Sequence, residues 1–113
     1  MRTTQDAVKI AGEVYQACNR LFGNNVRDVF LYGSYARGDY DDESDVDILL
    51  TVDAGAEELS GRRREVSAVS SDLSLKHDVT VSVTVKPKDQ FYKYADVLPY
   101  YRNVLREGIR YEG

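Results

Sequence analysis

The stretch from Asp45 to Val52 is the strongest constraint on the fold. After Asp47 it is apolar on both faces. A strand of this kind is central in a sheet and covered on both sides. In a chain of 113 residues, that cover has to come from nearby segments. One precedes it. Val8, Ala11, Val14, Tyr15, Cys18, Leu21 and Phe22 recur at helical spacing. They predict a helix from about Thr4 to Phe22, capped by Thr3 or Thr4 and stopped at Gly23.

The other segments fit around these two. Val26 to Tyr32 gathers β-branched and aromatic residues and reads as a strand. Gly33 to Asp42 is a turn region rich in Gly and Asp. Ala56 to Leu75 reads as a helix weakened at Gly61, with Leu59, Val66, Val69 and Leu73 near one face. Asp78 to Lys86 alternates strictly: Val79, Val81, Val83 and Val85 point one way, Asp78, Thr80, Ser82 and Thr84 the other. Pro87 ends that strand. Short helices are expected at about Lys88–Tyr94 and Tyr100–Arg106, separated near Pro99. Gly108 stops the second, and Ile109–Tyr111 forms a last edge strand. The order predicts an α/β fold on a small mixed sheet, as one domain over residues 1–113.

Composition narrows the partners. An apolar share of 42% supports one core and argues against disorder. The net charge of −4 argues against a long nucleic-acid partner, which selects for basic surfaces. A single cysteine, Cys18, allows no intrachain disulfide. The polar start Met1-Arg2-Thr3-Thr4 lacks the apolar core of a signal peptide, and no apolar run is long enough to span a bilayer. Together these predict a cytoplasmic protein away from membranes.

The chemistry concentrates between Gly33 and Asp47. On a strand, Asp45 and Asp47 share a face with Cα atoms roughly 6–7 Å apart. Carboxylates aimed together repel and tend to hold a shared proton. A hard divalent cation removes that penalty, and all-oxygen ligands favour magnesium, which pairs protein carboxylates with substrate phosphates. Gly33-Ser34 follows a strand directly. Glycine lets backbone approach a ligand, and amides at a helix start suit phosphate. Arg37 has two readings that stay open: a phosphate ligand, or a structural tie to the acidic loop. A two-metal site needs a third carboxylate, and Asp78 is the candidate, on a polar face paired beside Asp45 and Asp47. An EF-hand reading of Asp41, Glu43 and Asp45 fails, because Val46 stands where Gly is needed and Val52 where Glu is needed. A P-loop reading fails because no Gly-Lys-Ser/Thr follows Gly38.

Gly33-Ser34, ten residues, then Asp45-Val46-Asp47, with Arg37-Gly38 and Ser44 between, resembles the minimal nucleotidyltransferases of the DNA polymerase β superfamily. The order of elements and the closing Arg106-Glu107-Gly108-Ile109 are similar too. The resemblance implies a polymerase β-like fold. It implies that Gly33 and Ser34 hold a nucleoside triphosphate, ATP by default. It also implies that Asp45, Asp47 and Asp78 bind two magnesium ions, with Asp78 nearest the acceptor hydroxyl. Larger members of that superfamily carry a second domain for the acceptor. Here a partner or a second copy is expected to complete that site, as a homo- or hetero-oligomer. Stand-alone members are commonly paired with a HEPN ribonuclease toxin. The resemblance therefore implies an antitoxin that binds that partner, adenylylates a tyrosine on it, or both. Two alternatives are an enzyme modifying a small hydroxylated, antibiotic-like molecule, and a non-catalytic module that neutralises a partner by binding.

The remaining conspicuous residues have plainer expectations. His77 has no cysteine or second histidine as partner and reads as structural or solvated, not as a ligand. Arg62-Arg63-Arg64 reads as a solvated face, with a grip on a nucleotide or an acidic partner as the other option. Asp39, Asp41, Asp42 and Glu43 read as solvated loop charges. Tyr92, Tyr94, Tyr100, Tyr101 and Tyr111 read mainly as packing, with some forming a partner surface.

Overall fold

The computed structural model of the chain describes residues 2–112. Helix α1 (Thr4–Leu21) leads into β1 (Val26–Tyr32), then α2 (Ser34–Arg37), β2 (Val46–Val52), α3 (Ala56–Gly61), α4 (Arg63–His77), β3 (Val81–Pro87), α5 (Lys88–Lys93), α6 (Pro99–Glu107) and β4 (Ile109–Arg110). The strands form one mixed sheet in the order β3-β2-β1-β4. β1 pairs antiparallel with β2 and with β4, while β2 and β3 run parallel. The parallel pair needs a crossover, which α3 and α4 provide. β2 is internal, and every residue in it except Asp47 is buried, as its two-sided apolar pattern predicts.

The two sheet faces are covered differently. Val29, Leu31, Val46, Ile48, Leu50 and Val52 point to one face and pack with Ala7, Ile10, Val14 and Cys18 of α1; Val66, Val69 and Leu73 of α4 close that layer. Phe30 and Leu49 point to the other face, against Phe91 of α5 and Tyr101 and Val104 of α6. Each face thus buries the alternate residues of the same two strands. Thr3, not Thr4, caps α1, through a reciprocal pair in which Asp6 N–H bonds the Thr3 hydroxyl at 3.2 Å and Thr3 N–H bonds Asp6 Oδ2 at 2.8 Å.

Three expected boundaries move. The helix expected over Ala56–Leu75 is two helices, broken at Gly61-Arg62, where glycine's cost in a helix interior falls. The strand expected from Asp78 begins at Val81 instead. Asp78 is the C-cap of α4, in the left-handed region at φ 52°, with its N–H bonded to the Ser74 carbonyl. Aspartate tolerates that conformation, and the cap satisfies a helix-end carbonyl that a strand at Asp78 would leave unpaired. Pro99 opens α6 at its first turn, where a missing N–H costs nothing. Gly108 ends α6 for want of room: a Cβ there would lie 2.3 Å from the Val104 carbonyl.

Candidate active site

β1 ends at Tyr32, and its register partner on β2 is Asp47. The chain then turns through Gly33, at φ 77° and ψ −155°, into α2. A Cβ on Gly33 would lie 2.5 Å from Asp47 Oδ2. The turn therefore brings bare backbone against the carboxylate, and both the positive φ and the close approach require glycine. Two ties fix the turn. Thr4 Oγ1 of α1 donates to the Tyr35 carbonyl at 2.7 Å, and the buried Tyr35 ring stacks on Tyr40 with centroids 4.6 Å apart. The first amides of α2, at Ser34 and Tyr35, lie beyond the reach of helical partners, as at any helix start.

Asp45 sits one residue before β2 and is exposed, while Asp47 is half-buried. Burial first, and then the neighbouring Asp45 charge, hold the Asp47 carboxyl above the ordinary carboxylate range; Arg37 pulls weakly the other way. Like charges held together at a half-dry position are the electrostatic condition that a divalent cation relieves. In this respect the two side chains fit a hard cation shared with phosphate oxygens.

Asp78 is not on the strand beside them. The residue beside Asp47 on β3 is Ser82, and the next polar residue on that strand is Thr84. Asp78 stays at the rim, lining a surface depression with Asp42, Glu43 and Asp45. Among the described residues, no group of three His, Cys, Asp or Glu side chains is placed to hold one ion. The expectation that Asp78 opens the third strand is corrected here: α4 extends to His77, the Asp78 backbone N–H closes its cap, and β3 begins at Val81.

Arg37 forms a structural tie. Its Nε lies 3.2 Å from Asp39 Oδ2 and its Nη1 lies 3.6 Å from Glu107 Oε2, joining α2 to the acidic loop and to the end of α6. Asp41 serves the same loop, accepting from Glu43 N–H at 2.9 Å while its own N–H bonds the Ser44 hydroxyl at 2.9 Å.

The structure also places a hydroxyl pair that the sequence reading passed over as packing. Tyr32 Oη and Tyr100 Oη are 2.8 Å apart, with the rings edge-on. Burial, the Tyr100 bond and the Asp47 charge push the Tyr32 hydroxyl far up, so it stays protonated at neutral pH. Tyr32 was findable, since it directly precedes Gly33 on the same strand. Tyr100 was not, because only the return of α6 across the sheet brings it here.

His77 is structural as expected: its Nε2 lies 2.5 Å from Glu13 Oε2, beside Lys76 Nζ at 2.6 Å from Oε1. No described helix is long and apolar enough to cross a membrane.

Comparison with known proteins identifies the family. The sequence profile of a family described as nucleotidyltransferase domain matches residues 12–111. A protein of Methanocaldococcus jannaschii is 33% identical over 100 residues, which cover 88% of this chain and 92% of that one. A second from the same organism is 33% identical over 85 residues, covering 74% of this chain and 82% of its own. A third is 34% identical over 85 residues, 71% of this chain and 55% of that protein. All three carry the provisional name of protein adenylyltransferase.

Proposed function

The chain belongs to the nucleotidyltransferase domain family and is a nucleotidyltransferase enzyme. From that premise we propose that it moves AMP from ATP to a protein hydroxyl. The acceptor in this reading is a tyrosine of a partner HEPN ribonuclease toxin, and the modification makes this chain the antitoxin. The observation that carries the reading is the packing of Gly33 backbone against Asp47, which sets a phosphate-accepting turn beside a carboxylate pair. The names of the relatives favour a protein acceptor over a small molecule.

In this reading Gly33 and Ser34 hold the triphosphate through backbone N–H groups and the Ser34 hydroxyl. Asp45 and Asp47 hold magnesium, which when bound neutralises charge on the phosphate oxygens. The acceptor oxygen attacks the α-phosphorus, the bond to the departing pyrophosphate breaks, and the phenol proton leaves to solvent or to a carboxylate. The chain's own contribution is positioning and a half-dry field. Ser82 is the residue beside Asp47 on β3, and Asp78 lines the rim with Asp45, from which it would serve as the third carboxylate.

The test uses the purified chain, magnesium, labelled ATP and the product of the neighbouring gene, with the label located by mass. AMP on a tyrosine of that product is the expected result. Asp45→Ala or Asp47→Ala should lower transfer about a hundredfold or more. Label on an aminoglycoside-like compound instead would move the acceptor class. Neutralisation that survives both substitutions, with no label anywhere, would overturn transfer as the basis of neutralisation.

A further inference from the structure

The outer edge of β3 faces away from the carboxylates. Val46 N–H bonds the Thr80 carbonyl at 2.9 Å. In a parallel ladder that phase turns the backbone groups of Ser82, Thr84 and Lys86 toward β2 and those of Val81, Val83 and Val85 outward. At Val81 the outward groups are covered by α4: its N–H bonds Ser74 Oγ at 2.9 Å, and its carbonyl accepts from the Ser70 hydroxyl. Ser74 in turn donates to the Ser70 carbonyl at 2.7 Å. Among the described residues, no side chain does the same for Val83 or Val85. Those two residues open instead onto a groove of about 410 Å³ between α3–α4 and α5.

The groove has a definite chemistry. Leu59 and Val66 join Val83 and Val85 as its apolar part, and its charged residues are Arg63 and Lys86. Neither cation is in an ion pair among the described residues, although the chain carries a net charge of −4. Unpaired strand edges are normally blunted, as Ser70 and Ser74 blunt Val81. Here the blunting stops where the apolar and cationic lining begins.

We propose that the Val83–Val85 edge receives an extended acidic segment of another protein as a fifth strand, main chain to main chain, with its carboxylates against Arg63 and Lys86. A second copy of this chain fits less well, because two-fold pairing at this edge sets the same cations against each other. The assignment is independent of the transfer chemistry, since it uses none of the residues at Gly33–Asp47.

The test selects a random linear peptide display library on the whole chain and follows amide exchange by NMR. The expected peptides alternate apolar residues with Asp or Glu. They slow exchange at Val83 and Val85, whereas Val81 is already protected without them. Val83→Pro removes an outward N–H, which an edge strand tolerates, and should abolish their binding. If that variant folds poorly, Arg63→Glu with Lys86→Glu serves instead, with an expected loss of about tenfold or more. Enriched peptides without acidic bias, peptides that bind Val83→Pro equally well, or no enrichment would each overturn the proposal. So would concentration-dependent dimerisation that protects Val83 and Val85, which would assign the edge to a second copy.

Discussion

A single methyl group decides the geometry at position 33. Gly33→Ala would place a carbon 2.5 Å from Asp47 Oδ2 at a φ of 77°. The expected cost is about 1–3 kcal/mol of stability in urea unfolding, with loss of nucleotide transfer because Asp47 must move. Retention of full transfer would show that the close packing is incidental. Asp47 itself opposes folding. Its carboxyl titrates above the ordinary 3.8 through burial and the Asp45 charge. The native state therefore holds that proton more tightly than the unfolded chain, and stability falls as pH rises through the window above 3.8. Asp47→Asn should abolish transfer yet raise the melting temperature at neutral pH by a few degrees (roughly 2–6 °C), a gap that closes in acid. Magnesium should raise the melting temperature of the parent and not of the variant; equal shifts would place the cation elsewhere. The carboxylate pair and the glycine were legible in sequence because their spacing is local. The place of Asp78 at a helix end was not, since a strand pattern and a helix cap draw on the same residues.

Between elements, the contact that joins α1 to α4 is charged. Glu13 accepts from Lys76 and His77 at 2.6 and 2.5 Å. Burial works to raise the Glu13 carboxyl, but the bonds from Lys76 and His77 outweigh it and the net shift is below the ordinary 4.5. A depressed carboxyl stabilises the fold above its unfolded value and loses that contribution as pH falls through its folded value. Glu13→Gln should therefore cost less than about 1 kcal/mol at neutral pH, given the partial exposure of the group. It should also flatten the decline in stability from about pH 5 downward. Urea titrations of parent and variant at matched pH check this; parallel acid limbs would remove Glu13 from the account. Element existence and order followed from periodicity, since the 3.6 and 2.0 repeats are set by backbone geometry. The breaks at Gly61-Arg62 and Val81 depend on which end groups find partners, which periodicity does not encode.

At the scale of the whole molecule, a buried carboxylate ties the sheet to its late elements. Asp28 on β1 accepts from Thr51 of β2 at 2.6 Å and from Tyr92 of α5 at 2.8 Å, and pairs with Arg110 of β4 at 2.8 Å. Burial first, then the bond to Asp28, pushes the Tyr92 hydroxyl up to about 12. Asp28→Ala would leave a buried hydroxyl and a cation without their acceptor. The expected cost is about 2–4 kcal/mol by urea unfolding, with Asp28→Asn costing less. A loss under about 0.5 kcal/mol would show that the network is replaceable by water. The sequence reading took Tyr92 as packing and assigned Asp28 no role, because four elements far apart in the chain meet there.

The sequence alone determined the α/β class, the internal place of β2, and the nearness of Gly33 to Asp47 at the ends of paired strands, because short-range periodicity and spacing act through the backbone. Only the tertiary structure decided that Asp78 caps a helix, that Ser82 lies beside Asp47, that Tyr100 reaches Tyr32, and that half of an outer strand is left open. Each of these depends on which distant segment takes up a free backbone or polar group, and that competition is settled only when the whole chain has packed.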